Sequence, residues 1–532
     1  MIEENEMMFP PPGRTPQEDT AAVMKFYKLP KSFPNEVLEE ARHVGERLKA
    51  PGKRLDLRRK FIFTCDPQSA RDYDDALSLE TDRKGNRVLG VHIADVSHFV
   101  PPGGALDREA YKRSTSVYLA DRVVPMLPEE LSNGVCSLVP GEDRLAFSVF
   151  MTFDKSGEMV KRVFAKSIIR SKARFTYEQV MKVIKGGAEG PSGAKLGRRE
   201  AKVIREIAAL AQELRSARFA SGALDIEMPE AEVILDEEGE MTGLVTRPYD
   251  ESHQMIEECM VAANEAVAKE LWSKGVKILA RLHEPPEEEK LLMLRADMRG
   301  LGVKMGNIAN QKVLAQFLKS IKSNPLYPTL AMMVLRSMKR AVYDSTNMGH
   351  FGLAKRFYAH FTSPIRRYPD LTLHRQLAAY LEGGVAKARV QPRLLAKWAE
   401  HTSECEQTAA EAERGLLEIK KYRLLEEQLN TRQILDYDAV VVKCAPFGCF
   451  VEIQELAVSG LVHVSLLSRK FVTYNESDHS LSAPGGGSWR IGDRIRVHVA
   501  KVDFRTRRID FTPVDRTFLN RKPPRKPTKG RL

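Results

Sequence analysis

The sequence predicts a multidomain chain, a large α+β unit followed by a small all-β barrel, and three observations carry that prediction. Up to about residue 430, strand-like runs alternate with long helical ones. From about 434 to 513 the character changes to five short strands rich in Val and Ile, separated by glycine turns. Four aspartates, Asp66, Asp72, Asp74 and Asp75, fall within ten residues between two apolar runs near the start of the first unit. At 532 residues the chain is too long for one core and suits two or three domains.

Residues 1–55 read as an arm without a core of its own, with one helix, NEVLEEARHVGERL, behind the breakers Pro30 and Pro34. The domain expected over 56–430 mixes strand-like runs (RVLGVHIADVSHFV, LAFSVFMTF, VKRVFAKSIIRS) with helical ones (REAKVIREIAALAQELRSARFA, SHQMIEECMVAANEAVAKELW). A helical stretch from about 390 to 430 closes it. Over 434–513, ILDYDAVVVKCAPFGCFVEI, GLVHVSLL and RIGDRIRVHVAKVDFRTRRIDFTP make a five-stranded domain with exposed aromatics, the pattern of an OB-fold. On that reading Phe447, Phe450 and His463 stack bases, while Lys443, Arg494 and Arg496 contact phosphates. TYNESDHSLSAPGGGS is expected to be a polar loop. The end, 514–532, is a basic flexible tail whose last residues, RKPPRKPTKGRL, carry six positive charges and three prolines.

A 43% hydrophobic and 29% charged composition belongs to an ordinary globular protein. Lys and Arg exceed Asp and Glu by 83 to 71, a net +12, although a block of acids sits inside the chain, and a polyanion is the natural partner. The six cysteines are scattered without a second close pair to complete a zinc site, so they read as reduced thiols. The N-terminus has no apolar core and no stretch reaches membrane-spanning length, so a cytoplasmic protein is expected, with no reason to expect oligomers and a monomer as the default. No G-x-S-x-G elbow, P-loop or dinucleotide-binding glycine pattern occurs, so acyl transfer and nucleotide-driven activities lack support.

The chemistry concentrates in TCDPQSARDYDDALSLE, residues 64–80. In an extended stretch alternate side chains share a face, so Asp72 and Asp74 point together, and a turn at Asp66 or Asp75 brings the others round. Carboxylates so close repel, and a hard divalent ion is what holds them ionised. With no Cys or His interleaved, the donor set suits Mg²⁺ or Mn²⁺ and disfavours zinc, and the calcium-loop spacing is absent. A site of this kind usually works on phosphates.

The strings DPQSARDYDDALSLE, VHIADVSHFV and HFGLAKRFYAHFTSPIRRYPDLTLHRQL (350–377) resemble the signatures of the ribonuclease II/R family, closer to its ribonuclease R branch. The resemblance runs from about Asp56 to Thr512. It implies a processive, Mg²⁺-dependent hydrolytic exoribonuclease that degrades single-stranded RNA from a free 3′ end to nucleoside 5′-monophosphates. On the family pattern Asp66, Asp72 and Asp75 match metal ligands, and Asp74 matches the acid closest to the chemistry. Arg366 and Arg367 match phosphate contacts, Arg366 being the one at the scissile group. Tyr118 matches an aromatic stacked on the terminal base, and Tyr177 with Glu257 or Glu258 matches the region that reads the ribose hydroxyl.

His92, Asp95 and His374 belong to the signatures but are left outside the catalytic set. Two departures from the family stand out. The one or two small RNA-binding barrels common ahead of the catalytic domain are replaced by about 55 residues, which predicts a more open channel entrance. Ile226 stands where an aromatic is expected opposite Tyr118. The competing readings are an RNA-binding regulator with a degenerate catalytic domain and a small-molecule phosphohydrolase. Intact aspartates oppose the first, and the barrel and basic balance oppose the second.

Overall fold

The computed structural model describes residues 10–514 except 49–51, 227–230, 247, 307–309, 325, 347–348, 432–433, 477 and 486. The basic tail expected over 514–532 therefore lies, but for its first residue, outside the described residues.

The arm holds two helices where the sequence pattern predicts one. Helix α1 (Pro16–Phe26) starts on a Thr15 cap whose side chain accepts from the Glu18 N–H, with Pro16 in its first turn. It precedes α2 (Asn35–Arg47). The apolar side of α1, Val23 and Met24, cannot bury itself within an arm. It packs instead on Ala412, Leu416 and Ile419 of a long helix far along the chain, where buried Asp19 pairs with Arg423.

The catalytic unit is built on a seven-stranded sheet whose strands are β1 (Leu55–Asp56), β2 (Phe63–Cys65), β3 (Asp75–Thr81), β4 (Arg87–Ala94), β7 (Asp143–Phe153), β8 (Met159–Arg170) and β9 (Ala173–Phe175). Their order is β1-β8-β7-β4-β3-β2-β9. A separate ribbon pairs β5 (Val117–Tyr118) with β6 (Val123–Val124). Helices cover both faces, which is why the middle strands are buried through most of their length. One face packs Phe147, Val149 and Leu89 against α5 (Tyr177–Ile184), α6 (Arg198–Ala220) and α7 (Glu251–Ser273). The other packs Ile62, Ala94 and Ala146 against α2, α3 (Val96–Phe99), α4 (Ala105–Arg113) and the start of a later helix through Leu371. Helices α8 (Glu288–Gly300), α9 (Gln311–Ile321) and α10 (Tyr327–Ser337) form a satellite cluster around Leu294, Leu314 and Leu330. Then come α11 (Tyr368–Ala388) and the long α12 (Pro392–Asn430), the helix that receives α1.

The strands Tyr437–Ala445, Gly448–Ile453, Val458–His463, Arg494–Asp503 and Arg508–Pro513 close into a five-stranded barrel around Val441, Val451, Val497 and Phe511. Closure leaves no free sheet edge within that barrel. The expected polar loop is in part a three-stranded sheet, Thr473–Asn475, Ser480–Ala483 and Gly487–Trp489. Leu481 and Trp489 are fully buried against the barrel core, with Tyr474 and Ala483 packed beside them, and that burial organises an otherwise polar segment.

Candidate active site

The four aspartates collect at one end of the sheet because the loop carrying them is pinned at several points. Asp66 follows β2, and its N–H donates to the Phe175 carbonyl of β9 (3.1 Å). Ser137 holds the middle of the loop: its hydroxyl donates to the Arg71 carbonyl (2.8 Å) and accepts from the Tyr73 N–H (3.0 Å). The Asp74 carbonyl accepts from the Ala94 N–H at the end of β4 (2.8 Å), and Asp75 opens β3.

Asp66 and Asp74 are 8% and 5% exposed. Burial pushes the Asp66 carboxyl up to about 7, with the charges of Asp74 and Asp72 adding to the rise and Arg174 opposing it. Burial takes Asp75 up to about 8, helped by Asp66. Burial likewise raises Asp72 and lifts Asp74 well above the usual carboxylate range, while Arg366 pulls both down. One oxygen of Asp66, Oδ2, is buried with no hydrogen-bond partner. Buried acceptors of this kind are costly when ionised, and a hard cation is the group that relieves them. The oxygen-only donor set fits a divalent ion of the Mg²⁺ or Mn²⁺ type. Among the described residues no three or more His, Cys, Asp or Glu side chains are gathered closely enough to hold a metal. The aspartates thus stand within electrostatic reach of one another without being drawn into a closed ligand set.

Asp74 is held from across the fold. Its Oδ1 accepts from the Ile365 N–H (3.0 Å), and its Oδ2 lies 3.8 Å from Arg366 Nε. The two adjacent arginines part ways. The Arg366 side chain is 41% exposed and donates to Ser363 Oγ (3.1 Å). Arg367 turns inward to Asp370 (2.7 Å), whose side chain is fully buried.

Two tyrosines flank the carboxylates. Tyr118, on β5, is 42% exposed, and its backbone N–H donates to Glu413 of α12 (2.7 Å). Burial, with Asp72 and Asp74, pushes its hydroxyl up to about 12 against the pull of Arg366. Tyr177 opens α5 behind a Thr176–Gln179 capping box. Burial, with Cys65, Asp75 and Asp66, raises its hydroxyl too, against the pull of Arg366. Its ring stacks on His253 at 3.9 Å and 12° between planes, and His253 Nδ1 is 2.9 Å from Asp250 Oδ1 at the start of α7.

Beyond Tyr177 a cavity of about 1220 Å³ opens, lined by Gln68, Tyr177, Ile226, Tyr249, His253 and Glu257. Glu257 faces it, bonded to Arg218 (3.2 Å) and to the Tyr249 hydroxyl. Glu258 does not; it is 2% exposed and locked to Arg218. Ile226 lies on this wall, where half-exposed Tyr249 supplies an aromatic ring. Tyr249 and the His253 stack carry no motif of their own in the sequence, where the one signal is the Asp250 helix cap.

The signature residues left outside the catalytic set are internal. His92 is buried between Ser78 (2.9 Å) and Ser148 (2.7 Å). Asp95 pairs with buried Arg54, and His374 Nε2 lies 2.7 Å from the Phe361 carbonyl.

On the barrel, Lys443 stands opposite Phe450 in the strand register, and Gly448 stands opposite His463. Phe447 is 50% exposed in the turn, with its ring edge-on to Phe450 at 5.9 Å. Phe450 is therefore on the outer face and not a filler of the barrel core. Arg494 and Arg496 are exposed on a different strand, Arg496 tied to Asp436 (2.8 Å).

A buried carboxylate end of a mixed sheet, an adjacent half-exposed arginine, flanking aromatics and an appended oligonucleotide-binding-type barrel define a phosphodiester-cleaving nuclease class. The RNB domain family matches residues 54–383, and the S1 RNA binding domain matches 436–512. Ribonuclease R of Thermotoga maritima is 40% identical over 96% of this chain and 74% of its own. Ribonuclease R of Escherichia coli is 35% identical over 92% of this chain and 61% of its own. The structure of Mycoplasma genitalium ribonuclease R with ribose-methylated single-stranded RNA superposes with a TM-score of 0.84 at 27% identity, covering 94% of this chain and 78% of that one. The chain belongs to the RNB-domain family of ribonucleases. Members of this family are hydrolytic nucleases that typically need a divalent metal. Among the described residues no helix is long and apolar enough to cross a membrane.

Proposed function

We propose that this chain is a processive 3′ to 5′ exoribonuclease that hydrolyses single-stranded RNA from a free 3′ end, releasing nucleoside 5′-monophosphates with Mg²⁺, or Mn²⁺, as cofactor. The observation that carries the reading is the placement of four buried or half-buried aspartates beside half-exposed Arg366, with Tyr118 and Tyr177 in their electrostatic reach, in a family of ribonucleases. Residues 56–430 form the catalytic unit, 434–513 the RNA-binding barrel and 514–532 a basic tail. The enzyme works as a monomer in the cytoplasm, and six unbridged cysteines suit that reducing compartment.

Asp66, Asp72 and Asp75 would hold the metal, which when bound neutralises phosphate charge and makes a water more acidic. The protein's own groups do the rest. The Ile365 N–H fixes Asp74 in one orientation, with an oxygen free toward Arg366. Arg366 offers its guanidinium to the phosphate oxygens, where negative charge builds as the bond breaks. Tyr118 gives the terminal base a face to stack on. Tyr177 and Glu257, lining one cavity, are placed to hydrogen-bond a 2′-hydroxyl, the group that separates RNA from DNA. Arg367, paired with Asp370, supports the position of Arg366 and adds positive potential to the phosphate path.

A gel time course with 5′-labelled single-stranded RNA, run with Mg²⁺, with EDTA and beside DNA of the same sequence, tests the reading. A ladder shrinking from the 3′ end, only with RNA and metal, is expected. Tight binding without shortening would instead favour an RNA-binding regulator.

A further inference from the structure

A second large cavity, of about 1150 Å³, adjoins the metal-binding loop at Gln68 and takes no part in the chemistry described. It opens at β9, the edge strand of the main sheet, and shares Gln68 and Glu178 with the cavity beyond Tyr177. Four cations line it, Arg59, Lys172, Arg174 and Lys195, against two carboxylates, Glu178 and Glu200.

Their pairing sets these cations apart. Nearby Arg58, Lys60 and Arg170 each have a carboxylate partner. Among the described residues Arg59, Lys172 and Lys195 make no ion pair. Arg174 spends its Nη2 on the Pro67 (2.5 Å) and Gln68 (3.0 Å) carbonyls, next to Asp66, and its Nε is buried with no partner. It therefore ties this cavity to the loop that carries the first aspartate. Phe61, half-buried and stacked on Phe63 at 5.6 Å, supplies an apolar wall. Gly197 starts α6 on the rim with no side-chain cap, so the positive end of a 23-residue helix also faces the space.

We propose that this cavity binds the released nucleoside 5′-monophosphate on its way out, with Lys172, Lys195 and Arg59 on the phosphate and Phe61 against the base. The proposal rests on the exoribonuclease reading above. A strand threaded to its 3′ end blocks the way it came in, so each product needs a second opening. A cation-lined cavity that meets the metal loop at Gln68 offers a departing dianion a place to bind. Phosphate contacts come from side chains outside the reacting centre, so the cavity can be altered without touching the aspartates.

Equilibrium binding of adenosine 5′-monophosphate in EDTA, with the full-length protein, is the direct test. Wild type should bind it, and K172E/K195E should bind it at least tenfold more weakly. R393E/K397E, an equal charge change on exposed residues of α12, should leave it unchanged. Adenosine alone should bind much more weakly than the monophosphate. Single-turnover cleavage by K172E/K195E should stay at the wild-type rate, while inhibition of steady-state RNA decay by added monophosphate weakens. Equal monophosphate binding in wild type and K172E/K195E, or equal loss in the R393E/K397E control, overturns the proposal. Wild type failing to shorten RNA at all would sink the exoribonuclease reading instead, so the two failures are distinguishable.

Discussion

The carboxylate end of the main sheet and the outer face of the barrel both present polar side chains for a polyanion, but they hold them in opposite ways. At the sheet end, acids are buried, raised in pKa and left with an unpartnered oxygen. On the barrel, Lys443, Phe447 and His463 are exposed, and the core beneath them is complete without them. The first arrangement stores unfavourable electrostatics that a bound cation and substrate relieve. The second costs nothing in the free protein and so can only add affinity. Chemistry should collapse when the first region is changed, and binding should fade gradually when the second is.

The largest effect expected is that of Asp74→Asn, which removes charge without volume. Single-turnover cleavage should fall by ~10²-fold or more while RNA affinity is kept; normal cleavage by this variant would remove Asp74 from the chemistry. Next comes the contrast between neighbours. Arg366→Ala should lose roughly 10² in turnover with little change in melting temperature. Arg367→Ala, which strands buried Asp370, should cost about 3–5 kcal/mol of stability in a denaturant titration. Equal stability losses would show that both arginines are structural.

Metal and pH should then act together. Because Asp66 and Asp75 are raised to about 7 and about 8 in the folded protein, the fold binds more protons than the unfolded chain between the ordinary carboxylate range and pH 8. Metal-free stability should therefore fall as pH rises through that window and level off above it. A Mg²⁺ concentration of 100 times its Kd at pH 8 should restore about 2.7 kcal/mol there, and the same concentration should restore less at pH 5, where protons compete for the carboxylates. Melting curves with Mg²⁺ and with EDTA at both pH values check this, and a metal effect that does not grow with pH contradicts it. The smallest effects belong to the barrel. Phe447→Ala should weaken RNA binding by about 1–3 kcal/mol with the single-turnover rate unchanged. Lys443→Ala should lower the salt slope of binding by about 1. A cleavage defect in either would join the two regions functionally.

What was legible in the sequence follows the same division. The aspartates could be read because they are contiguous, and the barrel because its Val and Ile strands alternate between glycine turns. The partner of Asp74 could not be, since the Ile365 amide lies 291 residues away and a backbone N–H leaves no mark in a sequence. The divergence of Arg366 and Arg367 depends on where Asp370 points, which only the start of α11 decides. Helix α1 was missed because its apolar side is meaningful only against α12. The sheet within the polar segment 473–489 hangs on two side chains, Leu481 and Trp489, too few to make a pattern.

The central claim is that Asp66, Asp72 and Asp75, with Asp74 beside them, form a well for one kind of cation. Counting bound Mn²⁺ by electron paramagnetic resonance, in wild type and in Asp66→Asn/Asp75→Asn, tests it most directly. Tight binding by the wild type that is lost in the double variant is the predicted result. Equal binding by the two proteins, with both folded, would contradict the account.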